Sequence, residues 1–202
     1  ILYEVGDYAA AATLVGDAGA LTAVTGSAYD SVHEKILRAV LARQSGDPGK
    51  AVMHAFDARQ SAEAQAYVAF HFYAMAIEAS ARVEMGEQHT GILLATTAMG
   101  AIETLQGSEY GLFTRQLCCE ALRKAGSPQA EEMRARASDH VRRLLSFIRD
   151  PVLKGFFLRR TVVREILGNP TADALAVASG AVIEPSDPII ANVRTEVPLV
   201  EP

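Results

Sequence analysis

The stretch Ala42-Arg43-Gln44-Ser45-Gly46-Asp47-Pro48-Gly49-Lys50-Ala51 closes one helix and opens the next. Glycine suits the left-handed residue that ends a helix. Aspartate before proline suits a helix start: its carboxylate can accept from free backbone N–H groups, and proline at the first helical position lacks only a donor with no intrahelical partner. The same pairing of a good cap with proline recurs at Ser127-Pro128, Asp150-Pro151 and Asn169-Pro170. Every proline before residue 185 thus falls at an expected helix start, and none in a helix interior.

Outward from this joint the chain repeats. Gly6, Gly46, Gly86 and Gly126 stand 40 residues apart, and Gly168 follows after 42. Nine residues after the glycines come Val15, Ala55, Ala95 and Ala135, and twelve after come Ala18, Ala58, Ala98 and Ser138. With Ala11, Ala51 and Gly91 at five, the offsets differ by 4 and 3, which is one face of a helix. Before the glycines, Ala39, Ala79 and Cys119 form a small column, and Leu37, Ile77 and Leu117 a large one. A helix with a small-plus-large stripe therefore ends at each glycine, and a helix with a small stripe begins after it. The expected helices cover 8–23, 28–45 with 48–61, 64–85 with 88–105, 108–125 with 128–148, and 151–167 with 171–180, preceded by a fragment ending near Val5. Residues 181–202 hold four prolines without helical period, and are expected to form an extended acidic tail or linker beside a repeat domain over 1–180.

Composition agrees. Half of the 202 residues are apolar, only 6% are aromatic and none is tryptophan, with alanine dominating; that suits helices packed through small side chains. The fold class is all-α: antiparallel helix pairs with a period of about 40 residues. Net charge is −5 but uneven: −7 over 1–114, +7 over 115–164 and −5 over 165–202. The two cysteines, Cys118 and Cys119, are adjacent and poorly placed to bridge each other, which favours a reducing compartment, the cytoplasm. No long uncharged apolar run is present, so neither a membrane span nor a membrane partner is expected.

Gly6-Asp7-Tyr8 with Ala11, Val15 and Ala18, and Gly46-Asp47 with Ala51, Ala55 and Ala58, resemble the second-helix signature of tetratricopeptide repeats. Ala39, Ala79 and Cys119 match the small position of that family's first helix. The period is longer than the family's usual one, and the large aromatic near the start of the first helix is missing. Longer periods of this kind are similar to the repeat regions of large bacterial signalling ATPases and kinases, and Ile148-Arg149-Asp150 with Phe157-Leu158 loosely resembles their closing element. The resemblance implies a right-handed solenoid whose first helices line a concave binding surface. It implies a protein–protein interaction or regulatory scaffold, with Ile1, inside a first helix, marking a piece of a larger signalling protein. The partner would be another protein, a peptide or a domain of the same parent chain.

Carrying the family's inward positions over by offset from each glycine gives Arg43 and Gln44, then Tyr73 and Glu84, then Phe113, Arg123 and Lys124 as partner-binding residues. Aromatic and arginine side chains are strong interface anchors; the alternative for Tyr73 and Phe113 is the core. No catalytic set emerges. Ser45-Gly46-Asp47-Pro48-Gly49-Lys50 imitates a phosphate-binding loop, but Gln44 and Ala51 break the pattern. His33, His54, His71, His89 and His140 show no metal-ligand spacing, so neither metal nor cofactor is expected. Cys119 takes the small core position and reads as inert packing, while Cys118 would be reactive only if exposed near arginines and reads better as core or groove wall. The basic segment 115–164 supports an alternative, a nucleic-acid-binding regulator, but Glu131, Glu132, Asp139 and Asp150 interrupt it and no reader motif is present, so nucleic acid is the less expected partner.

Overall fold

The computed structural model describes residues 8–168, apart from Gln106, Glu109 and the side chain of Tyr8. Among the described residues there are nine helices and no strand: α1 Tyr8–Thr25, α2 Ala28–Gln44, α3 Pro48–Ala64, α4 Val68–Glu84, α5 Gln88–Thr104, α6 Gly111–Lys124, α7 Ala130–Phe147, α8 Pro151–Arg159 and α9 Thr161–Leu167. The expected fragment before residue 6, the helix over 171–180 and the tail over 181–202 lie outside the described residues.

The joints follow from backbone chemistry. Gly46, Gly86 and Gly126 adopt φ of 78°, 85° and 64°, a region that L side chains rarely enter. At each, the amide of the residue after the glycine reaches back to a carbonyl of the last turn: Asp47 to Ala42, Glu87 to Arg82 and Ser127 to Leu122, all at 2.9 Å. Asp47 then accepts from the Lys50 amide, and Asp150 from Val152 and Leu153, with Pro48 and Pro151 opening α3 and α8.

A second series of left-handed joints was not foreseen. Gly26, Ala66 and Gly107 have φ of 67°, 56° and 71°, again about one period apart. Ala66 holds the glycine-like conformation with a side chain, and Tyr67 N–H donates to Ala62 at 2.8 Å to make the same back-turn. With neither glycine nor proline to mark it, this joint was misplaced: α3 runs to Ala64 and α4 starts at Val68, not at 61 and 64. α6 likewise begins at Gly111 rather than 108, after the Gly107 joint. Ser127-Pro128 precedes a turn instead of opening the helix; α7 starts at Ala130, and Ser127 Oγ accepts from the Gln129 amide at 3.3 Å.

The single helix expected over 151–167 is broken at Arg160, whose ψ of 131° is extended. The β-branched run Thr161-Val162-Val163 is a weak helix interior. The break also lets α9 bury Val162, Val163 and Ile166 as it packs on α6 and α7.

Helices α1 to α7 pack in chain order, α8 packs on α9, and α4 also touches α2 and α6, so α2, α4 and α6 form a continuous layer. α3 bridges α2 and α4, and α5 bridges α4 and α6. Between them lie Ala39, Ala55, Ala58, Ala62, Ala74, Ala79, Ala95, Ala98 and Ala121, filled out by Ile36, Ile77, Met99, Ile102 and Leu122. Small side chains bring helix axes close, and at Gly91 on α5 there is no room for more: an added Cβ would lie 2.4 Å from Val83 Cγ2 and 2.9 Å from the Ala79 carbonyl oxygen. Buried Glu78 on α4 is held by Arg59 Nε at 3.0 Å and Arg82 Nε at 2.9 Å, so its charge is compensated inside the core. No helix among the described residues is long and apolar enough to cross a membrane.

Candidate functional site

Along the α2–α4–α6 layer, closed at one side by α9 and the start of α7, lies a concavity of about 920 Å³. The 40-residue period puts equivalent positions of α2, α4 and α6 side by side, so side chains far apart in sequence line it together. All seven residues selected by repeat offset do so: Arg43, Gln44, Tyr73, Glu84, Phe113, Arg123 and Lys124. α9 and the joint before it add Arg160 and Glu165, which the repeat offsets did not select.

One wall is a closed square of charges. Arg43 Nη2 donates to Glu84 Oε1 at 3.1 Å and to Glu120 Oε1 at 2.6 Å. Lys124 Nζ donates to the same two carboxylates, at 2.9 and 2.7 Å. Partial burial disfavours the Lys124 ammonium, but its hydrogen bonds to Glu120 and Glu84 outweigh that, and its pKa is raised. Gln116 Nε2 extends the network, donating to Glu165 on α9 at 2.7 Å. The side chains of one helix row thus tie α2, α4, α6 and α9 together. Arg43 Nε is buried without a hydrogen-bond partner among the described residues, a donor that native interiors seldom leave idle.

The floor is aromatic. Tyr73 is only 8% exposed and stacks on Tyr110 at 5.1 Å between ring centroids; the half-buried Phe113 lies 6.0 Å from Tyr73. The Arg160 guanidinium sits 5.7 Å over the Phe113 ring, a cation–π contact. Tyr73 is therefore both groove lining and core, and Phe113 is the more accessible anchor. From here an aromatic band continues through Phe70 to His33 and Tyr29, with Phe70 stacked on His33 at 5.7 Å and tilted on Tyr29 at 4.9 Å. Only its Tyr73–Phe113 end was anticipated. The signal for the rest is in the period: His33, Tyr73 and Phe113 occupy one repeat position, and Phe70 and Tyr110 another.

Of the two cysteines, Cys119 is less buried than its small core position implies. Cys118 is buried, on the column that carries Glu78, and burial pushes its thiol far up. Cys119 lines the concavity, half-buried; desolvation raises it to about 11 against the pull of Arg134 and Arg115. Both thiols are therefore protonated near neutrality and poor nucleophiles. Much of the basic segment is internally committed. Arg115 is buried and donates to the Gly111 and Ile102 carbonyls, while Arg134, Arg136 and Arg142 pair with Glu131, Glu103 and Asp139. No group of three His, Cys, Asp or Glu side chains among the described residues is arranged to hold a metal.

No family model, curated protein or solved structure matches the chain. The geometry of the concavity alone carries the functional reading.

Proposed function

We propose that the chain is a tetratricopeptide-like, right-handed solenoid of antiparallel helix pairs, and that the α2–α4–α6–α9 concavity binds a segment of another protein or of another domain of its parent chain. It acts as a scaffold or regulatory module, in keeping with the likeness of its long repeat to those of large signalling proteins. One observation carries this reading. Side chains that the tetratricopeptide resemblance assigns to the inward face, carried over at the repeat offsets, converge on one concavity, with an aromatic floor and a charged wall. The square of Arg43, Glu84, Glu120 and Lys124 is pre-organised, so little side-chain entropy is lost when a ligand lies beside it. Arg123 and Arg160 make no ion pair among the described residues and are available for charge-assisted hydrogen bonds, with Phe113 as the apolar anchor.

Panning a random peptide display library against the folded protein tests this. Selected peptides should shift the backbone amide signals of Phe113, Arg123 and Lys124, and Arg123→Ala with Phe113→Ala should weaken them by at least about tenfold, the scale of paired hot spots, at unchanged helicity. Binders that map to α1 or α3, or that ignore both substitutions, would sink the proposal.

A further inference from the structure

A second surface, made of residues that do not line the concavity, calls for a different ligand. Where α7 turns into α8, four large apolar side chains stand in solvent: Phe147 is 79% exposed, Leu153 60%, Val152 53% and Phe156 49%. On α8 the inward face is taken by Gly155 and Leu158, and Val152, Leu153 and Phe156 share the opposite arc. α8 packs chiefly on α9, so nothing among the described residues covers that arc. Arg143 lies one turn before Phe147 on α7, Arg149 in the joint between the helices, and Lys154 and Arg159 on α8; none makes an ion pair among the described residues, and Arg159 rests 5.8 Å over the Phe156 ring. Asp150, next to Arg149 in sequence, is engaged by the Val152 and Leu153 amides as the cap of α8.

We propose that this corner is an interfacial anchor for an anionic lipid surface. Exposed aromatic and aliphatic side chains on a segment rich in unpaired cations match a bilayer's negative headgroups and the apolar layer beneath them, and such binding needs no spanning helix. A second copy fits worse, since a symmetric contact through this patch would oppose Arg149, Lys154 and Arg159 to their own counterparts. The side chains also protrude at a corner, which favours insertion into a layer over seating in a groove.

The 202-residue chain contains no tryptophan, so Phe156→Trp installs a single fluorescent reporter in it. Its emission should shift to the blue with phosphatidylcholine vesicles containing about 30% phosphatidylserine and stay unchanged with phosphatidylcholine alone, since anionic lipid supplies the attraction. Arg143→Glu with Arg149→Glu should weaken vesicle binding at least about tenfold, each lost cation being worth several-fold at the surface, and salt should release the protein. Phe56→Trp, on an exposed phenylalanine of α3 that also lies under an arginine, is the control and should not shift. Equal shifts on neutral vesicles, no shift at all, or no loss in the charge-reversed variant would overturn the proposal. A shift of the same size with poly-L-glutamate in place of vesicles would overturn it in favour of an acidic protein partner.

Discussion

Replacing Gly91 by alanine should destabilise the protein, although the same change in a free helix would stabilise it. Alanine at an ordinary interior helical position gains about 0.5–1 kcal/mol over glycine through reduced backbone entropy in the unfolded chain. At Gly91 the new methyl would lie 2.4 Å from Val83 Cγ2 and 2.9 Å from the Ala79 carbonyl oxygen. Val83 is β-branched and stiff in its helix, and the oxygen belongs to α4's own hydrogen-bonded backbone, so neither can swing aside. Overpacking of this sort costs about 1–3 kcal/mol, which exceeds the propensity gain. The net expectation is a loss of about 1–2 kcal/mol, read as a lower urea midpoint and a melting temperature down by a few degrees. Gly100, on the same helix with nothing within 4 Å of its would-be Cβ, supplies the contrast. There alanine should add about 0.5–1 kcal/mol. In the Val83→Ala, Gly91→Ala double variant the loss should be smaller than the sum of the two singles, because one clash has gone. If Gly91→Ala melts at or above the parent, α4 and α5 do not approach as closely as described and the argument from the small column fails.

Ala66→Gly should stabilise by about 1 kcal/mol, because it relieves a left-handed alanine, and thermal melts of the pair would show it; an unchanged or lower melting temperature would mean that the joint is not strained. Glu78→Ala should lose about 2–4 kcal/mol in urea unfolding, since it strands Arg59 and Arg82, whereas a loss under about 1 kcal/mol would show that both arginines rehydrate freely. His140 has its pKa lowered by burial and by Arg115 and Arg143, so the unfolded chain binds its proton more readily. Stability should therefore be full above the ordinary histidine pKa of about 6.5 and decline as pH falls below it, and His140→Gln should flatten that limb of a pH series of melts.

Much of the fold could be read because the chain announces its joints. Gly46, Gly86 and Gly126 are glycine for a backbone reason, and Asp47-Pro48 and Asp150-Pro151 are caps for a hydrogen-bonding reason, so local chemistry located them. The Ala66 joint stayed hidden because packing enforces there what glycine permits elsewhere. The break at Arg160 was hidden too: it depends on burying Val162 and Val163 against other helices, a tertiary fact that no local signal carries. At the candidate site, repeat offsets placed Gln44, Glu84 and Lys124 in one column and Arg43 with Arg123 in another, which brought them to the same wall. Glu120 escaped notice because its column, with Val40 and Ser80, is otherwise uncharged. Arg160 and Glu165 escaped because the last helix obeys no repeat offset. Cys119 is less buried than its column implies because adjacent helical residues point in different directions, and the rotation of α6 turns Cys118 inside instead.

The square of Arg43, Glu84, Glu120 and Lys124 sets a rule for how this sequence can drift. Each corner touches two partners of opposite sign, so a lone reversal puts like charges side by side at two contacts at once. A reversal at Arg43 becomes tolerable only with changes at both Glu84 and Glu120, residues about one and two repeat lengths away. Among relatives, these four positions should therefore change together or stay fixed, a covariation signal running at the repeat spacing. That pattern would record the contact between helices more directly than similarity at any one position.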